Sequence, residues 1–316
     1  MERSRVLVLG DANVDLVIPL HNQSVVSLDP RESPLELHGG GTAANTAAAL
    51  ACLGEDVAFI GTIGDDGYGR RVLEEFMTDG VDTSCLYLVQ NAYTSMVLAI
   101  IHPDGERDLF VWPDSGGGHT QLNPDSITPE IFENSAWLHT TGLCLREEPV
   151  RTAQLKAMRL AKGGGLTVSL DLNLRLESWG MDQKLNTAFD QALALSDVVF
   201  GNGVDEIIPY TKQASILDGA KALTAGTRTV IARLGAEGAL AVTPEVEFTS
   251  PAFSVEVVDT IGAGDAFNGG FISAKLAGKT LQESVRWGNA AAALKIGKTG
   301  ARGLPTRTTL LEFLGE

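Results

Sequence analysis

The run Val258-Asp259-Thr260-Ile261-Gly262-Ala263-Gly264-Asp265-Ala266-Phe267 brings β-branched residues, a glycine-rich turn and a carboxylate together. Ser254 to Val258 alternates like a strand, and Ala266 to Ala277 carries Phe267, Phe271, Ile272 and Leu276 at helical spacing, so Gly262 to Gly264 open a helix. N–H groups at such a start have no intrahelical partner. With the helix dipole they form a pocket for a phosphate or a developing oxyanion. Asp265 stands beside that pocket, where a carboxylate can accept a proton from an attacking hydroxyl or can cap the helix.

A second group of polar residues lies near the N-terminus. Asn13 and Asp15 follow the first strand, and Gly40, Gly41 and Asn45 precede or open the first long helix. Carboxylates and amides of this kind pair with the hydroxyls of a polar ligand, and glycines let the backbone come close. Gly39 to Gly41 can equally be an ordinary flexible turn, and Asp15 a turn-stabilising carboxylate. Two other nucleotide motifs are excluded. Gly278-Lys279-Thr280 has Ser273 where a P-loop needs its leading glycine, and Phe267 takes the place of the third glycine of Gly-x-Gly-x-x-Gly.

The elements that must position these residues alternate along the chain. Strand Val6 to Leu9 is followed by helix Ala43 to Leu53, strand Val57 to Ile60 and helix Gly69 to Met77; after Trp137 to His139 come helix Val150 to Ala161, strand Thr167 to Asp171, helix Gln183 to Leu195 and strand Val198 to Phe200. That is the pattern of βαβ units on a mostly parallel sheet covered by helices on both faces, which binds ligands beyond the carboxyl ends of its strands. Two segments interrupt it. Asp15 to Leu37 has few helical features, and Ser95 to Trp112 reads as a hairpin joined across His102-Pro103-Asp104-Gly105-Glu106. Together they form either a small inserted sheet that acts as a lid or a surface hairpin that extends the main sheet. A lid excludes water from a reaction that water would otherwise divert.

The 316 residues suffice for a sizeable core, and 44% hydrophobic with 20% charged residues is a globular profile. The net charge of −16 with scattered basic residues argues against nucleic acid, so any anionic ligand must be held by helix N-termini, a metal ion and single arginines. Cys52, Cys85 and Cys144 are odd in number and far apart, which fits a reducing, cytoplasmic compartment. The histidines form no zinc pattern. An immediate first strand leaves no room for a signal peptide, and no apolar run is long enough to span a bilayer, so neither secretion nor membrane embedding is expected.

Asp-Thr-x-Gly-Ala-Gly-Asp followed by Ala-Phe-x-x-Gly-Phe resembles the C-terminal signature of the ribokinase-like (PfkB) carbohydrate kinase family. Gly10-Asp11-Ala12-Asn13-Val14-Asp15, Gly39-Gly40-Gly41-Thr42-Ala43-Ala44-Asn45 and Ile60-Gly61-Thr62-Ile63-Gly64-Asp65-Asp66-Gly67-Tyr68-Gly69 follow the family's order and spacing. The resemblance implies a three-layer αβα sandwich with a β lid, one kinase domain over residues 1–316 with the lid inserted from about 15–37 and 95–112. It implies transfer of the ATP γ-phosphate to a primary hydroxyl, with Asp265 as base and the N–H groups of Gly262, Ala263 and Gly264 as the anion hole. Asp15, Gly41 and Asn45 match positions that contact the sugar, while Thr42 stands where ribokinases often have lysine.

Asp171-Leu172-Asn173-Leu174-Arg175, followed by Trp179, resembles fructokinases and 2-keto-3-deoxygluconate kinases, which points to a keto-sugar or sugar acid. Arg175 then faces the acceptor or the phosphate, or else forms an ion pair with Asp171. For the nucleotide, Val230 to Ala239 is similar to the family's strand and glycine turn, with Arg233, Gly235 and Gly238 near the phosphates, and Asn289 lies on a helix matched to the adenine side. Arg233 is a strong phosphate donor or an exposed strand-end arginine. Asn202 with Asp205 is similar to the family's Asn-x-x-Glu, with Glu206 as a possible substitute, acting on Mg2+ through water. Asp259 shapes the anion hole, or a K+ loop with Lys298 to Ala301 as in potassium-responsive members. A homodimer through the lid is the implied assembly. The alternatives are a nucleoside kinase of the same family, for which Tyr93, Phe110 and Trp112 would have to stack on a base, and a catalytically silent sugar-binding regulator.

Overall fold

Val6 to Leu9 is an unbroken apolar run, and a strand of that kind must be covered on both faces. In the computed structural model, which describes residues 4–19, 36–102 and 107–316, it is. Strand β1 (Arg5–Leu9) sends Val6 and Val8 into one core and Leu7 and Leu9 into another. The chain continues through β2 (Asn13–Pro19), β3 (Glu36–Gly40), α1 (Thr42–Cys52), β4 (Val57–Gly64), α2 (Gly67–Asp79), β5 (Asp82–Val89), β6 (Met96–Ile101) and β7 (Arg107–Trp112). Next come β8 (Ser135–Thr141), α3 (Val150–Gly163), β9 (Thr167–Asp171), α4 (Leu176–Trp179), α5 (Gln183–Ala194), β10 (Val198–Asn202), α6 (Ile208–Thr211) and α7 (Ile216–Thr224). The C-terminal part holds β11 (Thr229–Arg233), β12 (Ala239–Val242), β13 (Glu247–Ser250), α8 (Ala263–Leu276), α9 (Leu281–Ile296) and α10 (Arg307–Leu314).

The main sheet has the order β13-β12-β11-β10-β9-β8-β1-β4-β5, with all neighbours parallel except at β11–β12 and β12–β13, because β12 alone runs against the others. Helices α3, α5 and α7 cover one face through Ala153, Met158, Leu185, Phe189 and Leu223. On the other face, α1, α2, α8 and α9 contribute Leu50, Val72, Phe76, Phe267, Phe271 and Val285. This is the layered βαβ architecture expected from the alternation.

The interrupting segments form a separate four-stranded sheet, β3-β2-β6-β7, so the reading of a hairpin that extends the main sheet is wrong. The hairpin itself is present, with Met96 opposite Trp112 and Ile101 opposite Arg107. Residues 20–35 of the first insertion and 103–106 of the hairpin turn lie outside the described residues. Ser254 to Val258 is also corrected: it is not a strand. The N–H groups of Val258 and Asp259 go instead to the Ile296 carbonyl at the end of α9, at 2.8 and 3.1 Å. Strand β5 was not anticipated; it pairs with β4 on the sheet's outer edge and is half-exposed, so its periodicity is weak.

Candidate active site

Helix α8 begins where the glycines require it. Gly262 caps it at φ 76°, a left-handed conformation that costs a side-chain-bearing residue free energy, and a Cβ there would press on Ala301 at 3.2 Å. The Ala263 N–H is already given to the Thr260 carbonyl at 3.2 Å, whereas those of Gly262 and Gly264 have no acceptor among the described residues. Of the three N–H groups expected to form an anion hole, two are thus left without an acceptor among the described residues. Asp265, in the first turn, makes no cap bond. Its buried carboxylate accepts instead from Asn45 Nδ2 at 2.9 Å, which overturns the helix-cap reading. Burial pushes its pKa up to about 7, opposed by the Asn45 bond and reinforced by the charge of Asp171. Asn45 Oδ1 is buried without a partner among the described residues.

Asn45 reaches Asp265 because α1 starts directly beyond the ends of β1 and β3. The Asp11 carboxylate, at the end of β1, accepts from Thr42 N (2.7 Å), Thr42 Oγ1 (3.0 Å), Ala43 N (3.3 Å) and Thr141 Oγ1 (3.1 Å). Gly41, at φ 100°, lets the chain turn into α1; a Cβ would lie 2.6 Å from the Asp11 carbonyl. The glycine segment is not a flexible turn. Gly40 pairs with Asn13 across β2 and β3, while Gly39 N–H donates to Glu75 at 2.7 Å and its carbonyl accepts from Arg302 Nε at 3.3 Å. Asn13 Nδ2 donates to Asp15 Oδ1 at 2.9 Å. Burial pushes the Asp15 pKa up to about 6, against that bond and the charges of Arg302 and His38.

The loop after β9 joins the same region. Asn173 Nδ2 donates to Thr42 Oγ1 at 2.8 Å, and Arg175 Nε donates to Asn173 Oδ1 at 3.0 Å. Both residues are left-handed, at φ 38° and 48°, a strained geometry that concentrates at functional loops. Arg175 is exposed and does not pair with Asp171. Asp171 pairs with Arg233, which donates from both terminal nitrogens at 2.7 and 2.9 Å. Burial pushes the Asp171 carboxyl up, but the Arg233 charge and the bonds from Arg233 and Asn268 leave its pKa below the ordinary carboxylate range. Arg233 is therefore no exposed strand-end arginine. It lies under the anion hole, where a Cβ at Gly264 would sit 3.3 Å from its Cζ.

The structure sets Asp205 and Glu206 in different surroundings. Gly203–Ile207 is a π-turn, wider than an α-turn, and it carries Glu206 inward. Glu206 accepts from Asn202 N at 2.6 Å and Leu174 N at 3.0 Å and lies 3.8 Å from Arg233, while Asp205 is exposed. Asn202 Oδ1 caps the turn by accepting from Val204 N and Asp205 N at 2.9 and 3.0 Å. Gly235 and Gly238 bracket the turn between β11 and β12. Asn289 spends its amide on Ser250 and Pro251, which ties α9 to the end of β13. Asp259 accepts from Ile261 N and Gly300 N, each at 2.9 Å, and its carbonyl accepts from Lys295 Nζ at 2.8 Å.

Asp11, Asp171, Asn268, Lys295 and Arg302 were not foreseen as members of this network. A signal existed for two of them. Asp11 stands at a strand end beside Asn13, and Asn268 follows Asp265 by three residues on the same helical face.

With the geometry in view, comparison with known proteins places it. Residues 3–307 match the pfkB family carbohydrate kinase. The aminoimidazole riboside kinase of Salmonella typhimurium is 33% identical over 301 residues, covering 95% of this chain and 88% of that protein. Fructokinase-1 of Zea mays is 30% identical, covering 99% and 98%. A fructokinase double mutant from Vibrio cholerae O395, in fructose-, ADP- and potassium-bound form, superposes with a TM-score of 0.84 at 30% identity, covering 99% of each chain. The buried, raised-pKa carboxylate beside free helix-start N–H groups, on this fold and across nearly the whole length, belongs to a member of the PfkB family of carbohydrate kinases.

Proposed function

We propose that this ATP-dependent sugar kinase transfers the γ-phosphate to a primary hydroxyl of a ketose or keto-sugar acid. The observation that carries the reading is the Asn45–Asp265 pair: a buried carboxylate with a pKa of about 7, next to an unpartnered amide oxygen and the unused N–H groups of Gly262 and Gly264. Asp265 takes the proton of the acceptor hydroxyl as its oxygen attacks the γ-phosphorus and the bond to ADP breaks. The Gly262 and Gly264 N–H groups meet the charge that develops on the transferring phosphoryl group, with the Ala263 N–H shared with Thr260. Asn13, Asp15, Gly40, Gly41 and Asn45 hold the sugar hydroxyls. Asn173 and exposed Arg175 supply a cation and amide suited to a carboxylate or keto group. On the nucleotide side, Asn202, Arg233, Gly235, Gly238 and Asn289 border the site.

Magnesium fits the residues present only through water. Glu206 has both oxygens engaged, and Asp205 is the exposed carboxylate next to Asn202. Mg2+ arriving with ATP supplies neutralisation of the phosphate charge. Potassium does not fit: the Asp259 carbonyl already holds the Lys295 ammonium and both its carboxylate oxygens accept N–H bonds.

The second sheet serves as the lid and pairs two copies. By register, Asp15 shares a face with Val97 and Val111, while Leu98, Phe110 and Trp112 face the other way. Sugar covers the first face; of the other, Val14, Leu37 and Met96 already pack on this chain's own core, and a second copy covers the rest. That placement also speaks against the nucleoside kinase, because Phe110 and Trp112 lie opposite Asp15. The intact Asn45–Asp265 pair speaks against a silent regulator. No described helix is long and apolar enough to cross a membrane, and the cysteines are free; both accord with the cytoplasm. An ATP-consumption screen over pentoses, hexoses, keto-sugar acids and nucleosides tests the reading. ADP should form with a ketose or sugar acid, and turnover confined to nucleosides would overturn it.

A further inference from the structure

Lys295 occupies the last turn of α9 with its side chain sealed from solvent. Burying an ammonium is costly unless the structure makes use of it, and a methionine would fill similar space without that cost. Its Nζ donates to the Asp259 carbonyl at 2.8 Å. Around that contact, Val258 N and Asp259 N bond Ile296 O, and the Asp259 carboxylate bonds Ile261 N and Gly300 N. The first residues of the anion loop are thus bound to the end of α9 and the loop after it, and Lys295 brings a positive charge to this junction. Asp259 and Asp265 both favour its charged form, against the effect of burial. An alkylammonium carries the charge of a potassium ion and, like it, is satisfied by backbone carbonyls.

We propose that the Lys295 ammonium is a tethered cation that holds the Asp259 carbonyl and backs the Gly262 and Gly264 donors, so that nucleotide use needs no dissociable monovalent cation. This rests on the kinase reading of the same site. Lys295 is a positioning residue, acting through Asp259 on the loop.

The test is calorimetric binding of magnesium-ADP, with melting temperature alongside, in KCl, NaCl and tetramethylammonium chloride at equal ionic strength. The wild-type dissociation constant should agree within about twofold across the salts, and melting should show no potassium-specific rise. Lys295→Met should bind about tenfold more weakly in tetramethylammonium chloride and regain about threefold or more in KCl or NH4Cl, a rescue that loss of packing alone does not give. Potassium that tightens wild-type binding or raises wild-type melting above sodium overturns the proposal, as does a Lys295→Met protein with wild-type affinity in every salt. If Lys295→Met does not fold, the wild-type comparison decides. If the wild type binds no magnesium-ADP in any salt, the kinase reading falls, while the melting comparison still decides the role of Lys295.

Discussion

Replacing Asp265 with asparagine should cut turnover by about 10²-fold or more and stabilise the protein near and above pH 7. The carboxyl pKa rises from 3.8 to about 7 on folding, about 3 units at 1.36 kcal/mol each, or about 4 kcal/mol. The sign follows from the direction. A group whose folded pKa is raised contributes most below its unfolded pKa, and that stability is lost as pH climbs from near 4 through about 7. Above pH 7 the wild type therefore carries a buried ionised carboxylate that Asp265→Asn does not. The introduced amide still accepts from Asn45 Nδ2 and can also donate to the unpartnered Asn45 Oδ1, so packing is kept. Urea denaturation from about pH 5 to 8 should show the variant gaining on the wild type as pH rises. In the same range, wild-type kcat/KM should climb about tenfold per pH unit up to about 7 and then level, as for a base that must be ionised. The variant should lose about 10²-fold or more in turnover and lose that limb. A flat wild-type profile, or a variant with near-normal turnover, would refute the assignment.

Asp15→Ala should weaken acceptor use by about 1–3 kcal/mol, because sugar hydroxyls lose a buried partner, while nucleotide affinity measured without sugar stays put; calorimetry giving the reverse would mean that the two halves of the site are exchanged. Arg233→Met leaves the buried Asp171 carboxylate without its cation and should destabilise the fold by about 3–5 kcal/mol, partly restored by adding Asp171→Asn. A single variant that unfolds in urea like the wild type contradicts that. Sugar should slow hydrogen exchange most in β2, β3, β6 and β7, with light scattering reporting a dimer. Protection confined to 230–238 would remove the lid.

The layered architecture was legible because β1, β4 and the helices after them carry patterns that depend on neighbours in sequence. What escaped depends on neighbours in space. Asp171 was weighed as a partner for Arg175, four residues away, yet it pairs with Arg233 because β9 and β11 flank β10 and end at the same edge. The π-turn at Gly203–Ile207 carries Glu206 inward and leaves Asp205 exposed, and no residue type in it announces the extra width. Lys295 looks like any polar residue in a helix until α9 is packed against the Asp259 segment.

The join between the two halves of the site rests on Asn45. Its Nδ2 is committed to Asp265, 220 residues later in the chain, and its Oδ1 has no donor. A buried acceptor left unpaired costs about 1–3 kcal/mol, and a sugar hydroxyl that donates to it recovers that free energy on binding. Because Asn45 is also on the helix that Asp11 and Gly41 orient beside β2 and β3, on the proposed reading the sugar would engage the base through a side chain whose amide nitrogen and backbone are already fixed. A water molecule can donate to Oδ1 too, but it does not reach Asp15 and Asn13 at the same time. The base is therefore best placed when a polyhydroxylated acceptor spans both groups, which favours phosphorylation of sugar over hydrolysis of ATP.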